Sequence, residues 1–185
     1  MAVWPIRKYG DPLLRKKAIK VESFEAPFQQ SASDMIETMQ AAKGVGLAAN
    51  QIGLTHSLCV VDVGLINEGE PPQAFVNPVI LQESGKETLY EEGCLSIPEV
   101  NEEVMRKERI RVRYQDLTGA VHEQDCDGML ARVLQHEIDH LNGVFFVDRL
   151  SALKRKLLSK KLKAIAEEAA AEARERSKNA PSAGS

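Results

Sequence analysis

Two histidines and a glutamate lie within one five-residue run, His136-Glu137-Ile138-Asp139-His140. If the run is helical, histidines at i and i+4 share one helix face and can bind one divalent metal ion. The glutamate beside them can move protons to and from a bound water molecule. The run therefore predicts a hydrolytic metalloenzyme. The alternative is a solvated helix face that carries the same side chains without a metal.

A catalytic metal site usually has three protein ligands and one open position, so two histidines are not enough. The zinc-protease motif with a further downstream histidine is excluded, because Phe146 occupies that position. We therefore expect the third ligand upstream, in the segment 91–96. There Cys94 offers a thiolate, and Gly93 allows close approach of the backbone.

The composition is typical of a globular protein, with 43% hydrophobic and 28% charged residues in a chain of 185. This length allows one well-buried core with an appended element. The net charge of −3 gives no indication of nucleic-acid binding. Three cysteines are too few for a disulfide scaffold and indicate a reducing compartment. Because no segment resembles a signal peptide or a membrane span, we expect a cytoplasmic protein without membrane partners.

Periodicity places the histidine run on a helix that begins after Asp127 and is stopped by Gly143. An earlier helix is predicted to end near Ala42. Strands are predicted over residues 58–63, 74–81, 110–114 and 120–126, and irregular backbone over residues 90–98. These elements predict an α+β fold of short mixed or antiparallel strands around a central metal-binding helix, plus a C-terminal helix.

The histidine helix has two inward stripes. One contains Met129, Val133, His136 and His140, and the other contains Leu130, Leu134, Ile138 and Leu141. We expect the leucine-rich stripe to pack on the core and the histidine stripe to face whatever the histidines bind.

The last part of the chain has a different composition. Residues 151–178 are rich in Ala, Leu, Lys, Glu and Arg and predict a long helix that is basic in its first half. We predict one catalytic domain over residues 1–150, a helical extension over 151–178 and a disordered tail over 179–185.

Three segments resemble motifs of the bacterial peptide deformylase family. They are Gly-Val-Gly-Leu-Ala-Ala-Asn-Gln at 44–51, Glu-Gly-Cys-Leu-Ser at 92–96 and Gln-His-Glu-Ile-Asp-His at 135–140. The opening at 9–15 is also similar, and the resemblance extends from residue 6 to about 150. It implies removal of the formyl group from N-formylmethionine at the start of nascent peptides, with release of formate.

The resemblance also implies a ligand set and a metal. Cys94, His136 and His140 would hold one divalent ion, with water or hydroxide at the fourth position. The family favours Fe(II). The donor set of one sulfur and two nitrogens also suits Zn(II), Ni(II) or Co(II).

Further roles follow from the same resemblance. Glu137 would take the proton of the water and pass it to the leaving amine. The oxyanion would be stabilised by the side-chain amide of Gln51 and the backbone N–H of Leu95.

The substrate-binding prediction comprises five residues, Val45, Gly46, Gly93, Met129 and Val133. Met129 and Val133 would wall an apolar pocket for the methionine side chain, and the backbone of Val45 and Gly46 would pair with an extended peptide. The family precedent further suggests that the basic helix docks on the ribosome, although simple packing on the domain is the alternative.

Two positions differ from the family pattern. Asn101 stands where an arginine is frequent, and Lys43 stands where an acidic residue is frequent, so charges at the peptide-binding rim are rearranged.

Two other functions remain open at this point. One is a metallopeptidase of another type. The other is a non-catalytic protein with a structural metal site, closed by a fourth ligand for which Cys126 is the obvious spare.

Overall fold

The computed structural model describes residues 2–179, which form one antiparallel sheet, three α-helices and four short 3-10 helices. The strands are β1 (Gly46–Ala48), β2 (Leu58–Val61), β3 (Gln73–Cys94), β4 (Ile97–Gln115) and β5 (Val121–Asp127). The α-helices are α1 (Ala26–Ala41), α2 (Gly128–Leu141) and α3 (Ala152–Asn179). The 3-10 helices are Pro12–Arg15, Ala49–Ile52, Val63–Leu65 and Phe146–Arg149.

The five strands follow one another across the sheet in chain order, and every neighbouring pair is antiparallel. An isolated parallel bridge joins Ile19 to His56 outside the strands. The predicted α+β class, with antiparallel strands and a C-terminal helix, is confirmed.

Strands β3 and β4 form a long hairpin of 22 and 19 residues. They continue through the segment for which we predicted irregular backbone, so that prediction is wrong except at Leu95 and Ser96, which connect the strands. The register shifts between Gly93 and Cys94. Such irregularities bend a strand and redirect its side chains. The hairpin therefore delivers Cys94 at the end of a strand, beside its connection to the next one.

Helix α2 lies on the sheet and carries the histidine run. Its leucine-rich stripe is buried against sheet residues such as Phe75 and Val112, as predicted. Asp127 precedes the helix in extended conformation, but its side chain makes no capping hydrogen bond. Burial of this apolar stripe fixes the rotation of α2 and so decides where its histidines point.

A second part of the core lies between α1 and the sheet. Phe28, Met35 and Met39 of α1 are buried in one cluster with Leu58 and Val60 of β2. The first helix ends at Ala41, one residue before the predicted end near Ala42. Its end leads directly into the segment 43–46, which borders the functional site.

Helix α3 packs on the rest of the chain along one face. Leu162 and Ile165 are buried in a cluster with Val100 and Phe145, and Ala169 is also buried. In contrast, Leu153 and Leu157 are 68% and 75% exposed. The helix is thus a packed element that leaves its other face in solvent.

Polar contacts also join α3 to distant parts of the chain. Lys154 Nζ lies 2.8 Å from Glu102 Oε2, and Arg176 Nη2 donates to the buried Asp11 at 3.0 Å. A Cβ built on Gly10 would lie 2.6 Å from the Cα of Ala166, so the N-terminal segment passes close to the helix backbone. These contacts bring the two ends of the described chain together.

Helix α3 ends at Asn179, and the rest of the predicted disordered tail lies outside the described residues. Within residues 2–179, no helix combines the length and the apolar character needed to cross a bilayer.

Candidate metal centre

The side chains of Cys94, His136 and His140 converge between the end of β3 and helix α2. Their ligand atoms lie within 4.8 Å of one another. Cys94 Sγ is 3.2 Å from His140 Nε2, and the Nε2 atoms of the two histidines are also 3.2 Å apart. One sulfur and two imidazole nitrogens at these separations are a suitable donor set for one divalent transition-metal ion.

The orientation of His136 is set by a carboxylate behind it. His136 Nδ1 lies 3.0 Å from Glu92 Oε2, which leaves Nε2 to face the sulfur. Glu92 is buried and also accepts hydrogen bonds from Arg106 at 2.6 and 2.9 Å and from Arg132 at 2.8 Å. A carboxylate that holds the second nitrogen of a ligating histidine is a common support of metal sites.

The same buried network extends to the far side of α2. Arg106 Nη1 donates to Asp139 Oδ2 at 2.8 Å. Arg149 donates to both carboxylate oxygens of Asp139, each at 2.6 Å. Asp139 lies between the two histidines in sequence, so this network anchors α2 to β4 and to the 3-10 helix that follows.

The hydrogen bonds and charges of this network shift the pKa values of its members. Burial alone would raise the pKa of Glu92, but hydrogen bonds from His136 and Arg106 outweigh it and hold that pKa well below its usual range. Burial likewise opposes the charged form of His136, yet hydrogen bonds to Cys94 and Glu92 raise its pKa to about 10.

The thiol of Cys94 behaves in the same way. Burial raises its pKa, but electrostatic and hydrogen-bond interactions with His140 and His136 outweigh this and hold the pKa of Cys94 well below its usual value. The thiolate is the form of cysteine that binds a metal ion. A divalent cation in the site would supply positive charge that stabilises this form. The donor set thus fits a metal ion chemically as well as geometrically.

Glu137 points into the same site. It is 4% exposed, its Oε2 has no hydrogen-bond partner among the described residues 2–179, and burial raises its pKa. Gly46 of β1 lies against it, since a Cβ there would stand 2.5 Å from Glu137 Oε1. A buried, unpartnered carboxylate beside a cation site is free to exchange a proton with a bound reactant.

Gln51 is held with its amide nitrogen toward the sulfur. Its Oε1 accepts the backbone N–H of Ala48 at 2.8 Å, which fixes the orientation of the amide. Its Nε2 then donates to Ser96 Oγ at 3.1 Å and lies 3.6 Å from Cys94 Sγ. The partly buried Leu95 borders the same space, on the connection between β3 and β4.

A cleft of about 710 Å³ opens in front of these groups. Its lining includes ten of the eleven predicted site residues: Val45, Gly46, Gln51, Gly93, Cys94, Leu95, Met129, Val133, His136 and Glu137. His140 does not line the cleft and is 1% exposed behind it. The structure thus brings all the predicted site residues to one place.

Several residues of the site were not predicted from the sequence. Arg132 also lines the cleft, is 7% exposed, and donates a hydrogen bond from its guanidinium to Glu92 at 2.8 Å. Besides Glu92, it donates to the backbone oxygens of Val104 and Thr88 at 3.0 and 2.8 Å. Its partners are 28 to 44 residues away in sequence, so no local pattern could identify them.

The structural-metal alternative required a fourth ligand. Within residues 2–179, the metal-binding group consists of Cys94, His136 and His140 alone. Cys126 lies in the apolar core cluster under α2 instead. The arrangement is therefore that of an open site bordering a cleft, and structural sites are normally closed by four protein ligands.

Residues 3–156 match the family model described as polypeptide deformylase. The chain belongs to the polypeptide deformylase family. It is 47% identical over 172 residues to the peptide deformylase of Brucella suis, covering 92% of this chain and 97% of that one.

Solved structures of the polypeptide deformylase family have the same fold. The peptide deformylase of Thermus thermophilus aligns with a TM-score of 0.83 at 46% identity, over 90% of this chain and 99% of that one. The peptide deformylase of Synechococcus elongatus in complex with actinonin aligns with a TM-score of 0.79 at 41% identity, over 84% and 86% of the two chains.

Proposed function

We propose that this protein hydrolyses the formyl group from N-formylmethionine at the start of nascent peptides and releases formate. The observation that carries the proposal is the Cys94, His136 and His140 cluster beside Glu137, in a cleft of a chain that belongs to the deformylase family. We also propose a cytoplasmic location.

Cys94, His136 and His140 would hold one divalent ion at Sγ and the two Nε2 atoms. When bound, the ion supplies Lewis acidity, which polarises the formyl carbonyl and lowers the pKa of water. Fe(II) is the ion that we favour, with Zn(II), Ni(II) and Co(II) as alternatives, since the donor set accepts all four.

Glu137 is the proposed proton carrier. Glu137 lines the cleft, and its Oε2 has no hydrogen-bond partner among residues 2–179, so we expect it to accept a proton from the water that attacks the formyl carbon. The same oxygen can then donate this proton to the nitrogen of the leaving methionine. Burial raises the pKa of Glu137 and so favours the protonated carboxyl group that exists between these two proton transfers.

Gln51 and Leu95 are the proposed oxyanion donors. The Gln51 amide is oriented by the N–H of Ala48, and its N–H₂ group lies beside Cys94, so the proposed donor is close to the metal centre before charge develops on the formyl oxygen. The backbone N–H of Leu95, next to Cys94, is the second donor. Neither group competes as a metal ligand.

The methionine side chain would occupy the apolar part of the cleft, beside Met129 and Val133. The backbone of Val45 and Gly46 would pair with the peptide in extended conformation, and Gly93 would form another part of the binding cleft. The exposed Lys43 lines this cleft, and the exposed Asn101 lies next to Gly93, which also lines it.

The direct test is formate release from formyl-methionyl-alanyl-serine by protein loaded with Fe(II) under exclusion of oxygen. The matched substrate is acetyl-methionyl-alanyl-serine, in which one methyl group replaces the formyl hydrogen. We expect formate from the first peptide and no acetate from the second. Absence of formate from folded, fully metallated protein would contradict the proposal.

The outer face of α3 is the proposed contact with the ribosome. It combines the exposed Leu153 and Leu157 with the exposed Lys156, Lys160 and Lys163. Cationic side chains around two apolar ones suit a surface made of RNA and protein, where nascent chains emerge.

Truncation after Leu150 would be a poor test of this contact, because it would uncover the core residues that Leu162 and Ile165 cover. The better variant is Leu153→Ser with Leu157→Ser, since both side chains are exposed. We expect it to lower the fraction of protein that pellets with ribosomes while deformylation of free peptides is unchanged. Unchanged pelleting of this double variant, and of one with Lys156 and Lys160 replaced by glutamine, would contradict the proposal.

A further inference from the structure

Two backbone hydrogen bonds hold the N-terminal segment against the segments that carry Gln51 and Leu95. Arg7 N–H donates to the Gln51 carbonyl at 2.7 Å, and Tyr9 N–H donates to the Ser96 carbonyl at 2.8 Å. Lys8 lies between these two anchors, and its side chain lines the cleft. The start of the Lys8 side chain is therefore fixed relative to the metal centre.

The Lys8 ammonium group reaches the connection between β3 and β4. Its Nζ donates a hydrogen bond to the Leu95 carbonyl at 2.9 Å. The N–H of the same peptide unit belongs to Ser96 and donates to Cys94 Sγ at 3.4 Å. One peptide unit thus links the ammonium group to the sulfur, with the carbonyl as acceptor on one side and the N–H as donor on the other.

A cation on a peptide oxygen increases the positive charge on the N–H of that peptide, because hydrogen bonds in a chain polarise one another. The N–H···S bond is then stronger than an isolated one would be. Lys8 also restrains the backbone of Leu95, whose own N–H is the proposed oxyanion donor. Both effects act on the site through the polypeptide and require no contact between Lys8 and the substrate.

We infer that Lys8 is a positioning residue of the metal centre: through the Leu95–Ser96 peptide it withdraws electron density from the Cys94 sulfur and holds the Leu95 N–H in place. This inference deepens the proposed function and rests on Cys94 as a ligand. It does not depend on which substrate the protein hydrolyses.

The test uses protein loaded with Co(II), whose sulfur-to-metal charge-transfer absorption reports the electron density on Cys94. In Lys8→Met, which keeps the length of the side chain and removes the charge, we expect the band to move to longer wavelength. Lys8→Arg, which can still donate to the Leu95 carbonyl, should keep the band close to its original position. Lys43→Met removes another cation from the same cleft and should leave the band unchanged.

Steady-state deformylation provides the second readout. We expect Lys8→Met to lower kcat by about tenfold, the lower end of what removal of a metal-site support costs, with KM little changed. Lys8→Arg should restore most of this loss. If Lys8→Met fails to retain Co(II) while Lys8→Arg retains it, that result also supports the inference.

The inference is overturned by an unchanged absorption band in Co(II)-loaded Lys8→Met, by an equal shift in Lys43→Met, or by a shift in Lys8→Arg as large as that in Lys8→Met. Loss of Co(II) from both Lys8 variants would also overturn it, because the charge would then not be the deciding property. A protein that shows the expected band shifts but releases no formate would contradict the proposed function alone.

Discussion

Gly46 lies directly against the Glu137 carboxylate, and a Cβ built on this glycine would stand 2.5 Å from Oε1 and 2.9 Å from Cδ and Cγ. Real Cβ atoms do not come this close to neighbouring atoms, so the carboxylate would have to move. Strand β1 therefore needs glycine at position 46, because a larger residue would collide with the Glu137 side chain. This contact couples the motif at residues 44–51 to the motif at residues 135–140.

Gly46→Ala should therefore displace Glu137 while leaving the three metal ligands in place. We expect kcat to fall by about 100-fold, the loss typical of a misplacement of about 1 Å in a catalytic group. Formate release and metal content, measured on the same sample, separate this effect from loss of the ion. A variant with full metal content and undiminished kcat would contradict the proposed role of this contact.

Arg106 should be a major contributor to stability, because it is buried and pairs with both Glu92 and Asp139. Removing one partner of a buried ion pair leaves an uncompensated charge, so Arg106→Met should lower the free energy of unfolding by about 3–5 kcal/mol. Lys107→Met is the matched control, since its 3.6 Å ion pair with Glu87 is exposed and should contribute about 0–1 kcal/mol. Urea unfolding measures both. Equal changes in the free energy of unfolding for the two variants would contradict the stabilising role of the buried network.

Stability should also depend on pH through Glu92. Its pKa is lower in the folded protein than in the unfolded chain, so its contribution is fully present above the unfolded value of about 4.3 and is lost as pH falls below it. The difference in unfolding free energy between the wild type and Glu92→Gln should narrow as the pH falls below about 4.3. A difference that widens on acidification would contradict this assignment.

The two faces of α3 should differ sharply in their effect on stability. Leu162 is 8% exposed within a core cluster, and Leu162→Ala should destabilise the protein by about 2–5 kcal/mol. Leu157 is 75% exposed on the same helix, and Leu157→Ala should change stability by no more than about 0.5 kcal/mol. Thermal or urea unfolding of the pair measures this difference. Similar values for the two variants would mean that α3 is not packed as described.

The metal helix could be predicted from the sequence because its information is local. The apolar stripe that includes Leu134 and Ile138 repeats with the helical period, and Gly143 marks its end, so the positions of His136 and His140 follow from geometry. The meeting of this helix with Cys94 could be predicted from the need for a third ligand and from the family resemblance, but not from geometry, because the spacing of 42 residues carries no geometric information of its own.

The long β3–β4 hairpin could not be predicted in the same way. Residues 81–87 of β3 are exposed on both faces, so the strand shows no alternation of apolar and polar side chains. Its backbone groups are satisfied by pairing with β4, a property that side-chain patterns do not report. The prediction of irregular structure over residues 90–98 failed for this reason.

The supporting side chains of the site escaped prediction because their partners are distant in sequence. Lys8 and Leu95 are 87 residues apart, and Arg132 and Glu92 are 40 residues apart. Each lysine or arginine, taken alone, is typical of a solvated surface. The fold places them beside backbone oxygens and a carboxylate, and only then do they become part of the metal centre.

The most direct measurement of the central claim is formate release from a formyl-methionyl peptide by Fe(II)-loaded protein, compared with Glu137→Ala at matched metal content. We predict turnover by the wild type and a loss of at least about 100-fold in the variant, because a positioned general acid–base contributes that much or more. A Glu137→Ala protein that retains its metal and releases formate at the wild-type rate would contradict the account.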